Sequence, residues 1–166
     1  MALTLETLIA RAEISDVVNR YATGIDRRDW TLYRSIFADE VDFDFTTWSG
    51  GEPRRLRGDD WVAGVRDSLS GFDATQHLSS NHVHTIEGED ATCVSYMIAL
   101  HYLVVDGDRQ MQGLGGFYTN ELRCGAGGGR DGWKIHACKL TVTWEMGDRG
   151  LFQIAGQRWA ARKAGA

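Results

Sequence analysis

The chain has 166 residues, of which 43% are hydrophobic and 25% charged, a size and balance that fit one soluble domain and exclude wholesale disorder, a fibrous repeat and a disulfide-rich miniprotein. A net charge of -5, from 18 basic and 23 acidic residues, argues against a nucleic-acid binder. Two counts stand out, 20 Gly against 1 Pro, and 5 His in a short chain.

Met1 to Thr7 carries no basic segment ahead of a long apolar one, so a signal peptide is not expected. No apolar run approaches the roughly 20 residues a membrane-spanning helix requires. Cys93, Cys124 and Cys138 lack C-x-x-C spacing and read as buried thiols in a reducing cytoplasm. The expected location is therefore cytoplasmic, with neither nucleic acid nor membrane as partner.

Leu5, Leu8, Ile9, Ala12, Val17, Val18 and Tyr21 recur at helical spacing and predict a helix over about 4–22, with Gly24 as its stop. A second short helix begins at Asp29, a good N-cap, and carries Trp30, Leu32, Tyr33, Ile36 and Phe37. From Val41 the period becomes two: Val41, Phe43 and Phe45 alternate with Asp42, Asp44 and Thr46, predicting a strand towards Trp48. A turn at 49–53 and a short run at 54–57 precede a third helix, capped by Asp59, bearing Trp61, Val62, Val65 and Leu69, and ending near Gly71.

The second half reads as strands over 77–86, 91–105, 109–123 and 133–145, separated by turn chemistry at 87–90, 105–108 and 125–129. Short connections favour an antiparallel meander. Helices first and a meander after them predict an α+β domain spanning residues 1–166, with the helices on one face of a curved sheet. The tail, 148–166, is apolar enough at Leu151 to Trp159 to serve as a pocket lid or an interface, or else it frays. An exposed sheet face suggests a homo-oligomer, dimer or trimer.

The glycines form no phosphate loop: G-x-x-x-x-G-K-S/T is absent, and Gly113, Gly115 and Gly116 lie inside a strand pattern, where they let it bend. His77, His82 and His84 are close in sequence, but strict alternation puts His77 on the opposite face from the other two and no carboxylate spacing accompanies them, so no metal is expected. His101 shares a strand face with Met97, Ala99 and Leu103, so its ring points inward, either as a buried neutral core residue or towards a pocket where it could transfer protons. Asp26 follows the first helix. It is either a solvated loop cap or an inward carboxylate that orients a His.

The run Tyr21…Asp26…Asp29-Trp30, then Phe37 to Val41, Arg57-Gly58, Thr75-Gln76-His77-Leu78…Asn81, Gly116-Phe117-Tyr118-Thr119 and Gly132 to Ile135 resembles the SnoaL-like branch of the nuclear-transport-factor-2-like superfamily. The resemblance runs from about residue 5 to 147. It implies a cone-shaped barrel, a strongly bent, mostly antiparallel sheet wrapped around three N-terminal-half helices and enclosing an apolar cavity. Enzymes of the superfamily that it resembles include scytalone dehydratase, hexachlorocyclohexane dehydrochlorinase and bile-acid 7α-dehydratase, in which a His and an Asp form a cofactor-free proton-transfer dyad.

On that resemblance His77 and Asp26 correspond to the dyad, His101 to a further pocket position, and Tyr21 to a pocket tyrosine; Tyr96, Tyr118 and Trp48 are additional substrate-binding candidates. The implied activity is a cofactor-independent elimination of dehydratase type on a small hydrophobic, cyclic or aromatic substrate. Isomerisation or carbon–carbon cleavage by the same dyad, a ligand-binding module, and the small subunit of a ring-hydroxylating dioxygenase are the rivals. Two departures stand out: Cys138 and Lys139 occupy the place of the dehydrochlorinase arginine, and Asp42, Asp44 and Trp48 stand where a second pocket tyrosine would be expected.

Overall fold

A computed structural model describes residues 3–125 and 132–165. Helix α1 (Leu5–Asp26) starts at a capping box in which Thr4 and Thr7 exchange side-chain and backbone hydrogen bonds. Ile14, Val17, Val18, Tyr21, Gly24 and Ile25 form its buried stripe, the spacing of one helical face. The helix does not stop at Gly24. A Cβ there would lie 2.8 Å from that of Tyr33, so the glycine permits close approach of the next helix rather than termination.

Helix α2 (Trp30–Ser35) is capped by Asp29, whose carboxylate accepts from the Leu32 amide (2.9 Å). Ile36 is its C-cap, and Phe37 already belongs to strand β1 (Phe37–Asp44), earlier than the alternation suggests. Phe45 and Trp48 do not continue that strand. They flank and occupy the single turn α3 (Thr46–Ser49), where Asp44 accepts from the Thr46 hydroxyl and amide and bends the chain out of the sheet. Strand β2 (Arg54–Arg57) leads into α4 (Gly58–Leu69), whose N-cap is Arg57; Asp59 and Asp60 sit in its first turn and favour the positive helix end.

Strands β3 (Ala74–Glu87), β4 (Asp90–Val105), β5 (Asp108–Cys124) and β6 (Trp133–Met146) form the expected antiparallel meander. The 125–129 turn lies, apart from Gly125, outside the described residues. β1 pairs parallel to β6 and antiparallel to β2, giving a six-stranded mixed sheet of order β2-β1-β6-β5-β4-β3. The fold is α+β, but the sheet does not close; β2 and β3 are its edges, and the helices complete the cone.

The meander carries a local irregularity of the kind that lets a sheet bend. The β5–β6 register breaks between Gly115 and Gly116, and a Cβ would fall 2.2 Å from the Trp144 ring at Gly115 and 1.9 Å from the Thr141 carbonyl at Gly116. The tail is not frayed: α5 (Leu151–Ala164) buries Leu151 and Ala155 completely and packs beside α4. Among the described residues no helix is long and apolar enough to cross a membrane.

Candidate active site

The cone encloses a cavity of about 400 Å³. Its walls are aromatic and aliphatic: Phe43 stacks on Trp61 at 3.9 Å between ring centroids, with Phe45, Leu114, Leu140 and Phe152 around them. Polar groups, among them Glu52, Arg54, Asp60 and Ser68, also line it, so an apolar interior is combined with a few charged positions.

His77 stands in the wall, and Asp26 meets its ring there without lining the cavity itself. Asp26 is the last residue of α1 and lies against β3, an edge strand whose outward N–H groups have no ladder partner. Its Oδ2 accepts from the His77 amide (2.7 Å), and its Oδ1 accepts from the Thr75 hydroxyl (2.9 Å) and from the ring Nδ1 of His77 (2.7 Å). Burial pushes the Asp26 carboxyl up, but the hydrogen bonds from His77 and Thr75 outweigh it and hold the group below the usual carboxylate range. An ionised carboxylate can only accept, so Nδ1 carries the proton and Nε2 presents its lone pair.

Arg28 holds this arrangement from behind. It sits in the left-handed region (φ 57°) in the α1–α2 turn, and its guanidinium donates to the Ile25 carbonyl (2.7 Å), the Leu69 carbonyl (3.0 Å) and the Thr75 hydroxyl (2.8 Å). Thr75 thereby has its acceptor side occupied and its proton directed at Asp26.

His101 lies beside His77, ring to ring at 5.6 Å and nearly perpendicular, and is only 3% exposed. Its partner is neutral. Gln112, fully buried on β5 opposite His101, donates its amide to the Gly113 carbonyl (3.2 Å) and accepts from His101 Nδ1 (2.9 Å). Burial, with the neighbouring His77 adding to it, lowers the His101 pKa to about 4 against the smaller upward pull of Gln112. His101 is therefore a neutral imidazole at pH 7, with Nε2 as an acceptor.

Tyr21 and Tyr118 line the cavity floor, hydroxyl to hydroxyl at 3.2 Å, and burial drives both phenols well above their ordinary pKa, so each keeps its proton. Trp48 on α3 lines the cavity and packs against Phe152. Tyr96 does not reach it. Its parity on β4 is opposite to Met97, Ala99 and His101, which puts it on the outer face, 58% exposed. Lys139 pairs with Asp44 at 2.9 Å and Asp42 pairs with Arg55, so neither Asp42 nor Asp44 stands in for a pocket tyrosine.

Gln112, Thr75 and Arg28 have no role in the sequence reading, whereas Phe152 falls in the 148–166 tail expected as a lid or interface and lines the cavity. Gln112 becomes visible only when the β4–β5 register is known. The pair Arg27-Arg28 directly after Asp26 was a readable signal for a cation near the carboxylate.

The chain matches the SnoaL-like domain over residues 6–139. No curated protein matches it. Among solved structures it is similar to the Kfla4162 protein of Kribbella flavida, with 32% identity, coverage of 86% of this chain and 95% of that one, and a TM-score of 0.75. It also shares its fold with a type 2 hexachlorocyclohexane dehydrochlorinase, LinA, at 21% identity, 88% and 93% coverage and a TM-score of 0.69. A provisionally named scytalone dehydratase of Novosphingobium aromaticivorans aligns at 16% identity, 86% and 90% coverage and a TM-score of 0.72. A match over most of the length, joined to this fold, shows that the chain belongs to the SnoaL-like domain family, within the nuclear-transport-factor-2-like superfamily.

Proposed function

We propose that this protein is a lyase that removes a proton from a small hydrophobic, cyclic or aromatic substrate and expels water or a comparable leaving group. The observation that carries the reading is the His77–Asp26 pair in the wall of an apolar cavity, at 2.7 Å and with the carboxylate further held by the His77 amide and Thr75.

In this reading the lone pair on His77 Nε2 takes a proton from a substrate carbon. The C–H electrons form the new double bond and the leaving group departs from the adjacent carbon with its bonding pair. The carboxylate stabilises the imidazolium that forms and keeps the ring in the productive tautomer. The proton then passes from Nε2 to the leaving group, so an alcohol leaves as water and the base is restored. Tyr21, whose hydroxyl accepts from Tyr118 and keeps its own proton, donates a hydrogen bond where negative charge develops, with Tyr118 polarising it from behind. His101 cannot donate from Nδ1, which is engaged by Gln112; its Nε2 accepts from a substrate hydroxyl and so selects an orientation.

The test is a panel of hydroxylated cyclic and aromatic compounds incubated with the protein in D2O and followed by NMR. Elimination, lost in His77→Ala, is the expected outcome. Deuterium incorporation without elimination would reassign the same dyad to an isomerase. Compounds that bind yet neither exchange nor react would make the cone a container.

A further inference from the structure

A second group of histidines lies on the same strand as His77, beyond a break in its alternation. Strict alternation would turn His77 away from His82 and His84. Instead the β3–β4 register shifts between Ser80 and Val83, and Asn81 adopts a left-handed conformation (φ 55°). This bulge resets the parity, so His77, Ser79, His82 and His84 all face inward. Beside them on β4, directly opposite His84 in the register, is the fully buried Cys93.

We propose that His82, His84 and Cys93 form a binding site for one borderline-to-soft divalent cation, with Zn2+ as the reference ion, at the junction of α1 and the β3–β4 hairpin. One ligand atom from each of the three residues lies within 4.8 Å of the other two. A tetrahedral zinc site with N and S ligands has ligand–ligand edges of about 3.5 Å, so rotations of the two imidazoles close the remaining gap.

The surroundings fit ligation better than a simple polar latch. Ser79 Oγ lies 2.9 Å from His82 Nε2, the outer hydrogen bond that fixes the tautomer of a metal-bound imidazole and leaves Nδ1 for the cluster. Ser15 on α1 stands between the rings, 3.0 Å from His82 Nδ1 and 2.9 Å from His84 Nε2, where its oxygen or a water it holds supplies the fourth position. His84 Nδ1 is buried with no hydrogen-bond partner among the described residues, and in the tautomer protonated at Nε2 its lone pair is the one that binding would satisfy. Two histidines and a cysteine, whose thiol proton the cation displaces on binding, are donors that zinc accepts and magnesium or calcium do not.

An entry path exists. A surface groove of about 450 Å³ between the start of α1 and the end of β3 has His84 in its wall, with Arg11 and Glu87 offering opposite charges beside it. The proposal reverses the expectation of no metal drawn from strict alternation. It does not rest on the elimination chemistry, because neither His77 nor Asp26 is a ligand.

The experiment is a Co2+ titration of tag-free, chelator-treated protein, followed by zinc displacement. The expected result is a thiolate-to-cobalt charge-transfer band saturating at one equivalent, bleached by Zn2+, together with a Tm that rises with added Zn2+. Cys93→Ser should lose the band and His84→Gln should lose tight binding, while Ser79→Ala should weaken it about tenfold through the outer hydrogen bond. His77→Gln should bind as the wild type does. Folded wild-type protein without the band would overturn the site, as would full binding by both Cys93→Ser and His84→Gln. If Cys93→Ser fails to fold, His84→Gln at the groove decides by the same titration, and unchanged binding there refutes the proposal.

Discussion

His77 and His101 stand side by side in one wall, and the difference between them lies in what each Nδ1 meets. For His77 it is a carboxylate at the end of a helix; for His101 it is the carbonyl of a buried amide. Both partners fix the same tautomer, yet only the carboxylate offers a countercharge when the ring takes a second proton. Thus two identical side chains on neighbouring strands divide into one that faces a countercharge and one held as a neutral acceptor. The lesson is that a histidine in a pocket is assigned by its second hydrogen bond rather than by its presence.

The two histidines differ most at Asp26. Asp26→Asn keeps the shape but removes the countercharge, and its amide can present a donor to Nδ1, favouring the other tautomer. Turnover of an identified substrate should fall about 10³-fold or more, while His77→Ala should fall at least as far. A kcat within a few-fold of wild type in Asp26→Asn would remove the dyad from the mechanism.

His101 makes a prediction on stability. Its folded pKa of about 4 lies below the ordinary 6.5, so the unfolded chain binds the extra proton first. The stability tied to the neutral ring is complete above pH 6.5 and is lost as pH falls towards 4, to the extent of about 3 kcal/mol. Asp26, also depressed, acts in the same direction but below its ordinary value of 3.8, so the two windows separate. Denaturant midpoints measured between pH 7 and 4 should drop steeply in the wild type and less in His101→Gln. His82 and His84, lowered by burial as well, retain their share of the slope in that variant. Equal slopes in both proteins would show that His101 is not held neutral by the fold.

How far this was legible in the sequence follows from which interactions are local. The four meander strands were readable to within a few residues, because alternation and turn residues act over short spans, and the Asp29 cap needs only three residues to express itself. The Asp26–His77 contact bridges 51 positions, and it came from resemblance rather than from any period. Gly24 and Asn81 misled for opposite reasons. The glycine looked like a helix stop but serves a tertiary contact with Tyr33, whereas the Asn looked ordinary and in fact reverses the facing of everything after it. Tyr96, a substrate-binding candidate of the sequence, stands outside by the same parity that places His101 inside, a correction that alternation along β4 already contains.

On the amide side the contrast between the two rings is milder. Gln112→Leu leaves the His101 Nδ1–H buried without an acceptor, a loss of about 1–3 kcal/mol. Thermal unfolding at pH 7 should show it, and binding of a hydroxylated ligand should weaken as the ring loses its fixed tautomer. Gln112→Glu supplies the missing countercharge, so NMR titration of His101 should find its pKa moved up from about 4. A pKa unmoved by Gln112→Glu would mean that burial alone, and not the partner, separates the two histidines.

The smallest expected effect tests the support behind the carboxylate. Thr75 receives a hydrogen bond from Arg28 and passes one to Asp26, so Thr75→Val deletes one of the bonds that hold Asp26 ionised and removes nothing that faces the cavity. The loss should be about 1 kcal/mol in transition-state stabilisation, a several-fold drop in kcat at unchanged KM. The acid limb of the kcat profile should move to higher pH as the Asp26 carboxyl rises towards its ordinary value. Thr75→Ser, which keeps the hydroxyl, should restore both. An activity loss in Thr75→Val that Thr75→Ser also shows, with no movement of the acid limb, would instead make Thr75 a packing residue, leaving the His77 amide and ring alone to hold Asp26 in place.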